Sequence, residues 1–250
     1  MSSFIAKPHL PQKKVTLAAV SALYPHIIHA LRERGTAVVE VAPNSALTGA
    51  VASHADMLLH HLGGREVVVA NGEAILKNEL EKYGFHVIPA GKPLSAQYPD
   101  DVALNAARVG KYLFCREKSL EEQVAYGCQE QAVKIISVRQ GYAKCSTAVI
   151  DNESIITADP SIAKSAAARD LNVLQITPGS VKLDGFQYGF LGGACGLISK
   201  HELAFTGKIS EHPDYQAIQL FCSRRGIELI SLTNQPLIDV GSIIPLMESE

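Results

Sequence analysis

The sequence predicts an α/β fold in which five ββαβ units close into a five-fold ring, the last unit being completed by the N-terminal strand. Three observations carry this. A helix-then-strand segment recurs five times along the 250 residues. Apolar strand-like stretches lie between these segments, four of them reading as hairpins. The fifth stretch, "IDVGSIIPL", ends as a single strand, and "KVTLAAV" near the N-terminus offers the missing partner. Closure removes sheet edges that would otherwise recruit other chains.

The helix-strand segments follow one pattern. In "SALYPHIIHALRERGTAVVEVAPN", Leu23, Ile27, Ile28 and Leu31 fall on one helical face, Gly35 stops the helix, and Val38, Val39 and Val41 form a strand. "GEAILKNELEKYGFHVIPAG" repeats it, with Ile75, Leu76 and Leu80, the stop Gly84, then Phe85, Val87 and Ile88. "SLEEQVAYGCQEQAVKIISVRQG", "SIAKSAAARDLNVLQITPGS" and "DYQAIQLFCSRRGIELISLTNQ", stopped by Gly226, complete the set. The strands are expected to begin near Thr36, Phe85, Ala132, Asn172 and Ile227. Ser119 reads as an N-cap with Glu122 in the capping-box position, Pro160 opens a helix, and His212 lies in an exposed loop. Hairpin turns are expected at Gly63-Gly64, Val109-Gly110, Asp151-Asn152 and Ser199-Lys200.

The units span roughly 51–90, 98–139, 142–178, 184–233, and 236–248 plus 13–43, in a single domain covering 1–250. A doubly wound sheet also alternates helix and strand. It would not need the hairpins, and no glycine-rich phosphate loop follows any strand here.

Hydrophobic residues make up 47% and charged residues 19%, as in a well-packed globular protein. The net charge of -2 and the absence of a basic run give no footprint for nucleic acid. The N-terminus has no apolar core of signal-peptide length and no stretch is long enough to span a membrane, so a cytoplasmic location is expected. Five widely spaced cysteines, never in a CxxC pair, argue against a disulfide framework and a zinc ribbon. No cofactor is expected, and the sequence carries no signal for oligomeric state.

The stretch "SHADMLLHHLGGREVVVANG" gathers His54, Asp56, His60 and His61. Read as a strand, His60 and His61 point to opposite faces. Positions six apart on a strand are separated by about 20 Å, so this stretch alone does not reach around a metal. It reads as the first hairpin, with His54 and Asp56 at the end facing the ring axis.

A ring of five ββαβ units with a His54-x-Asp56 pair at a hairpin start resembles the pentein propeller of the guanidine-modifying superfamily. That superfamily includes arginine and agmatine deiminases, dimethylarginine dimethylaminohydrolase and the amidinotransferases. A non-catalytic ribosome-binding translation factor has the same architecture. The resemblance covers essentially the whole chain. It implies a thiolate that attacks a guanidinium carbon, a His that shuttles protons, and carboxylates that grip the planar cation. The family's Gly-His-x-Asp motif stands in a later unit, where this chain has Tyr142, and its terminal Cys would fall in "DVGSIIPL", which has no cysteine; Pro245 or its neighbours occupy the place.

Aligning the hairpins by their second strands matches Asp56 with Asp101 and Lys144, and His54 with Pro99 and Tyr142. The residues expected around the axis are Asp56, Asp101, Asn105, Tyr142, Lys144, Cys145, Asp184, Tyr188, Cys195 and Asp239. Cys145 is the candidate replacement nucleophile, because the adjacent Lys144 would favour its thiolate, with His54 beside it as a candidate catalytic residue. Cys195, in "GFLGGACG", sits where glycines would let backbone approach a ligand. Two functions remain open. One is an enzyme with hydrolase-like or amidinotransferase-like chemistry on a small guanidino or amidino compound. The other is a non-catalytic protein that binds a small molecule in an axial pocket or a macromolecule on one face.

Overall fold

The computed structural model describes residues 2–250 and contains five small mixed sheets. Four are hairpins extended by a parallel third strand. They comprise β4 (Leu59–Gly63), β5 (Glu66–Val69) and β6 (His86–Pro89); β7 (Ala107–Val109), β8 (Tyr112–Cys115) and β9 (Lys134–Ser137); β10 (Thr147–Asp151), β11 (Ser154–Thr157) and β12 (Asn172–Gln175); and β13 (Cys195–Ser199), β14 (Glu202–Phe205) and β15 (Glu228–Ser231). The fifth sheet runs β1-β16-β2-β3, from β1 (Ser2–Phe4), β16 (Ile244–Ser249), β2 (Val15–Ser21) and β3 (Ala37–Val41). β16 pairs antiparallel with β2, Ile244 opposite Ala19, so the C-terminal strand takes its hairpin partner from the N-terminal segment.

One crossover helix joins the second strand to the third in each sheet: α1 (Pro25–Glu33), α3 (Ala74–Lys82), α4 (Glu122–Glu130), α5 (Pro160–Ala167) and α6 (Tyr215–Ser223). Each buries an apolar face, Ile27, Ile28 and Leu31 in α1 and Ile162, Ala163 and Ala166 in α5. Gly35, Gly84 and Gly226 end three of them at φ +83°, +88° and +67°, the left-handed conformation that releases a chain from a helix. After α4 and α5 the same turn is made by Ala132 (φ +53°) and Asp170 (φ +60°), side chains that pay a steric penalty there.

All four hairpins exist, each with its turn one residue beyond the predicted pair, at Gly64-Arg65, Gly110-Lys111, Asn152-Glu153 and Lys200-His201. Three further details differ. The α4 N-cap is Glu121, whose carboxylate accepts from Gln123 N, while Ser119 ends a preceding 3-10 turn (Glu117–Ser119). Glu121 is fully buried because it also binds Gly91 N at 2.9 Å, a long-range tie that a local capping pattern does not encode. His212 is buried, its Nδ1 accepting from Asp214 N at 3.0 Å.

Residues 54–58 are not a strand. A 3-10 turn (Gly49–Ser53) leads through His54 into a helical turn, α2 (Ala55–Leu58), before β4 begins. His60 and His61 are packed in β4, bonding the carbonyls of Leu104 (3.2 Å) and Gly64 (2.9 Å). The first strands meet one another: β10 lies against β7 and β13, and β13 against β16. No helix among the described residues is long and apolar enough to cross a membrane.

Candidate functional site

The segments that lead into the first strands converge on one buried cluster. α2 presents Asp56, whose backbone N–H is pinned to the carbonyl of Gly241 at 3.1 Å. The tight turn before β10 presents Lys144 and Cys145, whose N–H groups donate to Asn105 Oδ1 at 2.7 and 3.3 Å. The turn before β16 presents Asp239 and Ser242. Cys145 Sγ donates to Asp56 Oδ2 at 3.0 Å, and Ser242 Oγ donates to the same oxygen at 2.6 Å. Lys144 Nζ donates to Ser242 Oγ at 2.9 Å and to the carbonyl of Gly192 at 3.2 Å. Asn105 Nδ2 lies 3.2 Å from Cys145 Sγ. Asp239 accepts from Phe190 N (2.9 Å) and Gly241 N (3.0 Å), with its Oδ1 3.8 Å from His54 Nδ1.

Glycines make this approach feasible. A β-carbon on Gly193 would stand 1.9 Å from Asp239 Oδ1, and one on Gly241 (φ +72°) would stand 2.2 Å from the His54 β-carbon. The glycines of "GFLGGACG" thus serve contacts inside the protein: Gly192 backs onto Thr147 and Lys144, and Gly196 onto Ile243.

The cluster is buried and crowded with charge. His54, Asp56 and Asp239 are each 1% exposed and Cys145 2%. Burial first, and then the Asp56 and Asp239 carboxylates, push the Cys145 thiol well above its ordinary range. This corrects the expectation that Lys144 would favour the thiolate: the ammonium is turned away, onto Ser242 and Gly192. Burial pushes Asp239 up to about 6, against the N–H bonds from Phe190 and Gly241 and the charge of Lys144. Burial lowers His54, opposed by the Asp56 carboxylate. Both ring nitrogens of His54 and Oδ1 of Asp56 are buried without a hydrogen-bond partner. Each such atom costs about 1–3 kcal/mol when left unpaired.

Ligand-type atoms of His54, Asp56 and Cys145 lie within 4.8 Å of one another. His54 and Asp56 lie on a helical turn and not on the strand that the reach estimate assumed, and Cys145 joins them from another unit, which spacing along residues 53–72 does not reveal. Asp101 stands one step out, buried, accepting from Tyr142 Oη at 2.5 Å, with Oδ1 unpartnered. Tyr142 joins an aromatic row with Tyr98 (ring centroids 5.8 Å apart) and Phe190 (6.4 Å), and Phe190 meets Tyr188 at 6.3 Å. Tyr188 is therefore at the margin, and Asp184 is exposed in the loop after Leu183. Cys195 is buried behind it, lining a cavity of about 10 Å³ with His9 and Lys144, and burial pushes its thiol up to about 12. Ser242 was not among the residues the sequence singles out; its only signal is that it lies in "DVGSIIPL", where a cysteine was expected.

The model of a family of unknown function (DUF6873) matches residues 19–244. No curated protein matches the chain. Solved structures do. The DDAH of Pseudomonas aeruginosa, a cysteine-to-serine mutant complexed with citrulline, aligns at TM-score 0.56 and 10% identity, covering 87% of this chain and 92% of its own. SxtG, an amidinotransferase from Microseira wollei in the saxitoxin biosynthetic pathway, aligns at 0.56 and 12%, covering 90% and 91%. The agmatine deiminase of C. jejuni aligns at 0.53 and 9%, covering 93% and 91%. At this identity the likeness shows the fold, that of the pentein guanidine-modifying enzymes.

Proposed function

The chain belongs to the family of unknown function DUF6873, and from that premise we propose that it binds and modifies a small guanidino or amidino compound at the His54–Asp56–Cys145–Asp239 cluster. In the same reading the five sheets of residues 2–250 form one closed five-fold ring, the cluster lying at its axis. Contacts of β10 with β7 and β13, and of β13 with β16, support that arrangement, as does the pairing of β16 with β2. The observation that carries the functional reading is the set of buried, unpartnered atoms on His54 and Asp56 beside a thiol and a second buried carboxylate. The structural neighbours include an enzyme holding citrulline, an amidinotransferase and a deiminase, which favours this ligand class.

In the proposed reaction a guanidinium binds with its N–H groups toward Asp56 and Asp239. Its positive charge offsets the carboxylates that disfavour ionisation of Cys145. The thiol proton passes to His54, and the thiolate forms a C–S bond at the guanidinium carbon. The C–N bond to the departing amine breaks as His54 returns the proton to that nitrogen. Transfer of the amidino group from sulfur to water is hydrolysis; transfer to an amine is amidinotransfer. Asn105 and Ser242 orient Cys145 and Asp56, and Lys144 compensates the buried carboxylates. The Tyr98–Tyr142–Phe190 row with Asp101 forms the cover that must shift to admit the ligand.

The test uses chloroacetamidine, an alkylating agent that carries an amidinium, against neutral chloroacetamide. Modification of Cys145 by the cationic reagent, read by peptide mass spectrometry, is expected at least about ten times faster. Amidine binding without modification of Cys145 would instead support the non-catalytic reading, on which the raised thiol and the serine at position 242 bear.

A further inference from the structure

We propose that His54, Asp56 and Cys145 also bind a thiophilic divalent cation of the zinc type, which goes beyond the guanidino reading and does not depend on it. The three offer one imidazole nitrogen, one carboxylate oxygen and one sulfur, all within 4.8 Å of one another. A tetrahedral zinc site places such atoms about 3.5 Å apart, so closing the widest edge takes a side-chain adjustment of about one ångström. Each residue is at least nine-tenths buried, and the unpartnered atoms include the ones a metal would use: one ring nitrogen of His54 and Asp56 Oδ1. Asp239 Oδ1, 3.8 Å from His54 Nδ1, occupies the place of the outer carboxylate that fixes the orientation of a metal-bound imidazole.

Donor chemistry selects the ion. Thiolate with imidazole suits zinc and its neighbours, whereas calcium and magnesium require oxygen ligands. Charge selects it too: Asp56, Asp239 and a Cys145 thiolate against Lys144 leave two negative charges, which a divalent ion cancels. Binding breaks the Cys145 S–H bond, forms a sulfur–metal bond and releases one proton to solvent. The metal and a guanidinium therefore compete for one space, and a bound metal withholds the thiol from alkylation.

The experiment titrates the full chain with Co²⁺ alone and follows thiolate-to-cobalt charge-transfer absorption, then displaces the cobalt with Zn²⁺. One equivalent of cobalt with that absorption is expected, lost in Cys145→Ser and retained in Cys222→Ser. Asp239→Asn should weaken binding about ten- to a hundred-fold, and His54→Gln, which removes a ligand, by more. Zn²⁺, but not Mg²⁺, should raise the thermal midpoint of the native chain and leave Cys145→Ser unmoved. If Cys145→Ser does not fold, His54→Gln and Asp239→Asn decide the outcome by the same readouts. Absence of the absorption at millimolar Co²⁺, or its persistence in Cys145→Ser, would overturn the proposal. Either result leaves amidinium recognition by Asp56 and Asp239 untouched, because the chloroacetamidine comparison is run with a chelator present.

Discussion

Asp56 is the hinge of the site at the scale of single residues. One of its oxygens takes hydrogen bonds from both Cys145 and Ser242, and the other has no partner. After burial, its charge is the next cause that pushes the Cys145 thiol above its ordinary range. Asp56→Asn keeps the shape and removes the charge, so two rates should move in opposite directions. Alkylation of Cys145 by neutral iodoacetamide should rise several-fold as the thiol ionises more readily, while alkylation by chloroacetamidine should fall about ten-fold. Parallel changes in both rates would show that Asp56 acts only through folding. Some of this was legible in the sequence. His54, Asp56, Cys145 and Asp239 were singled out as axial, and they meet in the structure. Ser242 was not, because a serine behind a glycine carries no pattern until the chain that faces it is known. Asp184 illustrates the complementary case: an acid near a strand start resembles a ligand-facing one in sequence, and in the structure it is exposed.

At the scale of elements, period and punctuation were readable, and register was not. The second strands start at Glu66, Tyr112, Ser154 and Glu202, which shifts the second unit by one residue from the alignment drawn on apolar runs. Asp101 consequently does not repeat the role of Asp56, and Asn105 supplies that unit's contact to Cys145 instead. Short apolar strands tolerate a one-residue slide in sequence; only pairing fixes it. Two consequences can be measured. Ala132, held at φ +53° after α4, stands where three sister helices or their like use glycine, so Ala132→Gly should raise unfolding free energy by about 1 kcal/mol in urea titration. In β4, burial lowers His60 and His61 to about 4 each. Both are neutral when folded, whereas the unfolded chain takes up protons below about 6.5. Their contribution is therefore complete above that pH and is lost as pH falls toward 4, by roughly 3 kcal/mol for each histidine. Stability measured from pH 7 to pH 4 should fall steeply, and His61→Gln should flatten the slope. An unchanged slope would place the acid sensitivity elsewhere.

The whole molecule turns five weak sheets into a frame for one site. Each small sheet exposes edges by itself; the proposed ring covers them, and it brings residues 186 positions apart, Asp56 and Ser242, into hydrogen-bond contact. Ser2 pairs with Ser249 across β1 and β16, so the described ends are neighbours. A circular permutant joining them through a short linker and opened at the exposed Lys200–His201 turn should fold cooperatively, with a thermal midpoint within a few degrees of the native order. Loss of cooperative unfolding would argue against a closed ring. The central claim, that the axis recognises a planar cation beside a nucleophilic thiol, is tested most directly by the rate of Cys145 modification with chloroacetamidine relative to chloroacetamide in the presence of a chelator. A cationic preference of at least about ten-fold, confined to Cys145 and reduced in Asp56→Asn, is the predicted result; equal rates, or labelling spread over the other four cysteines, would contradict it.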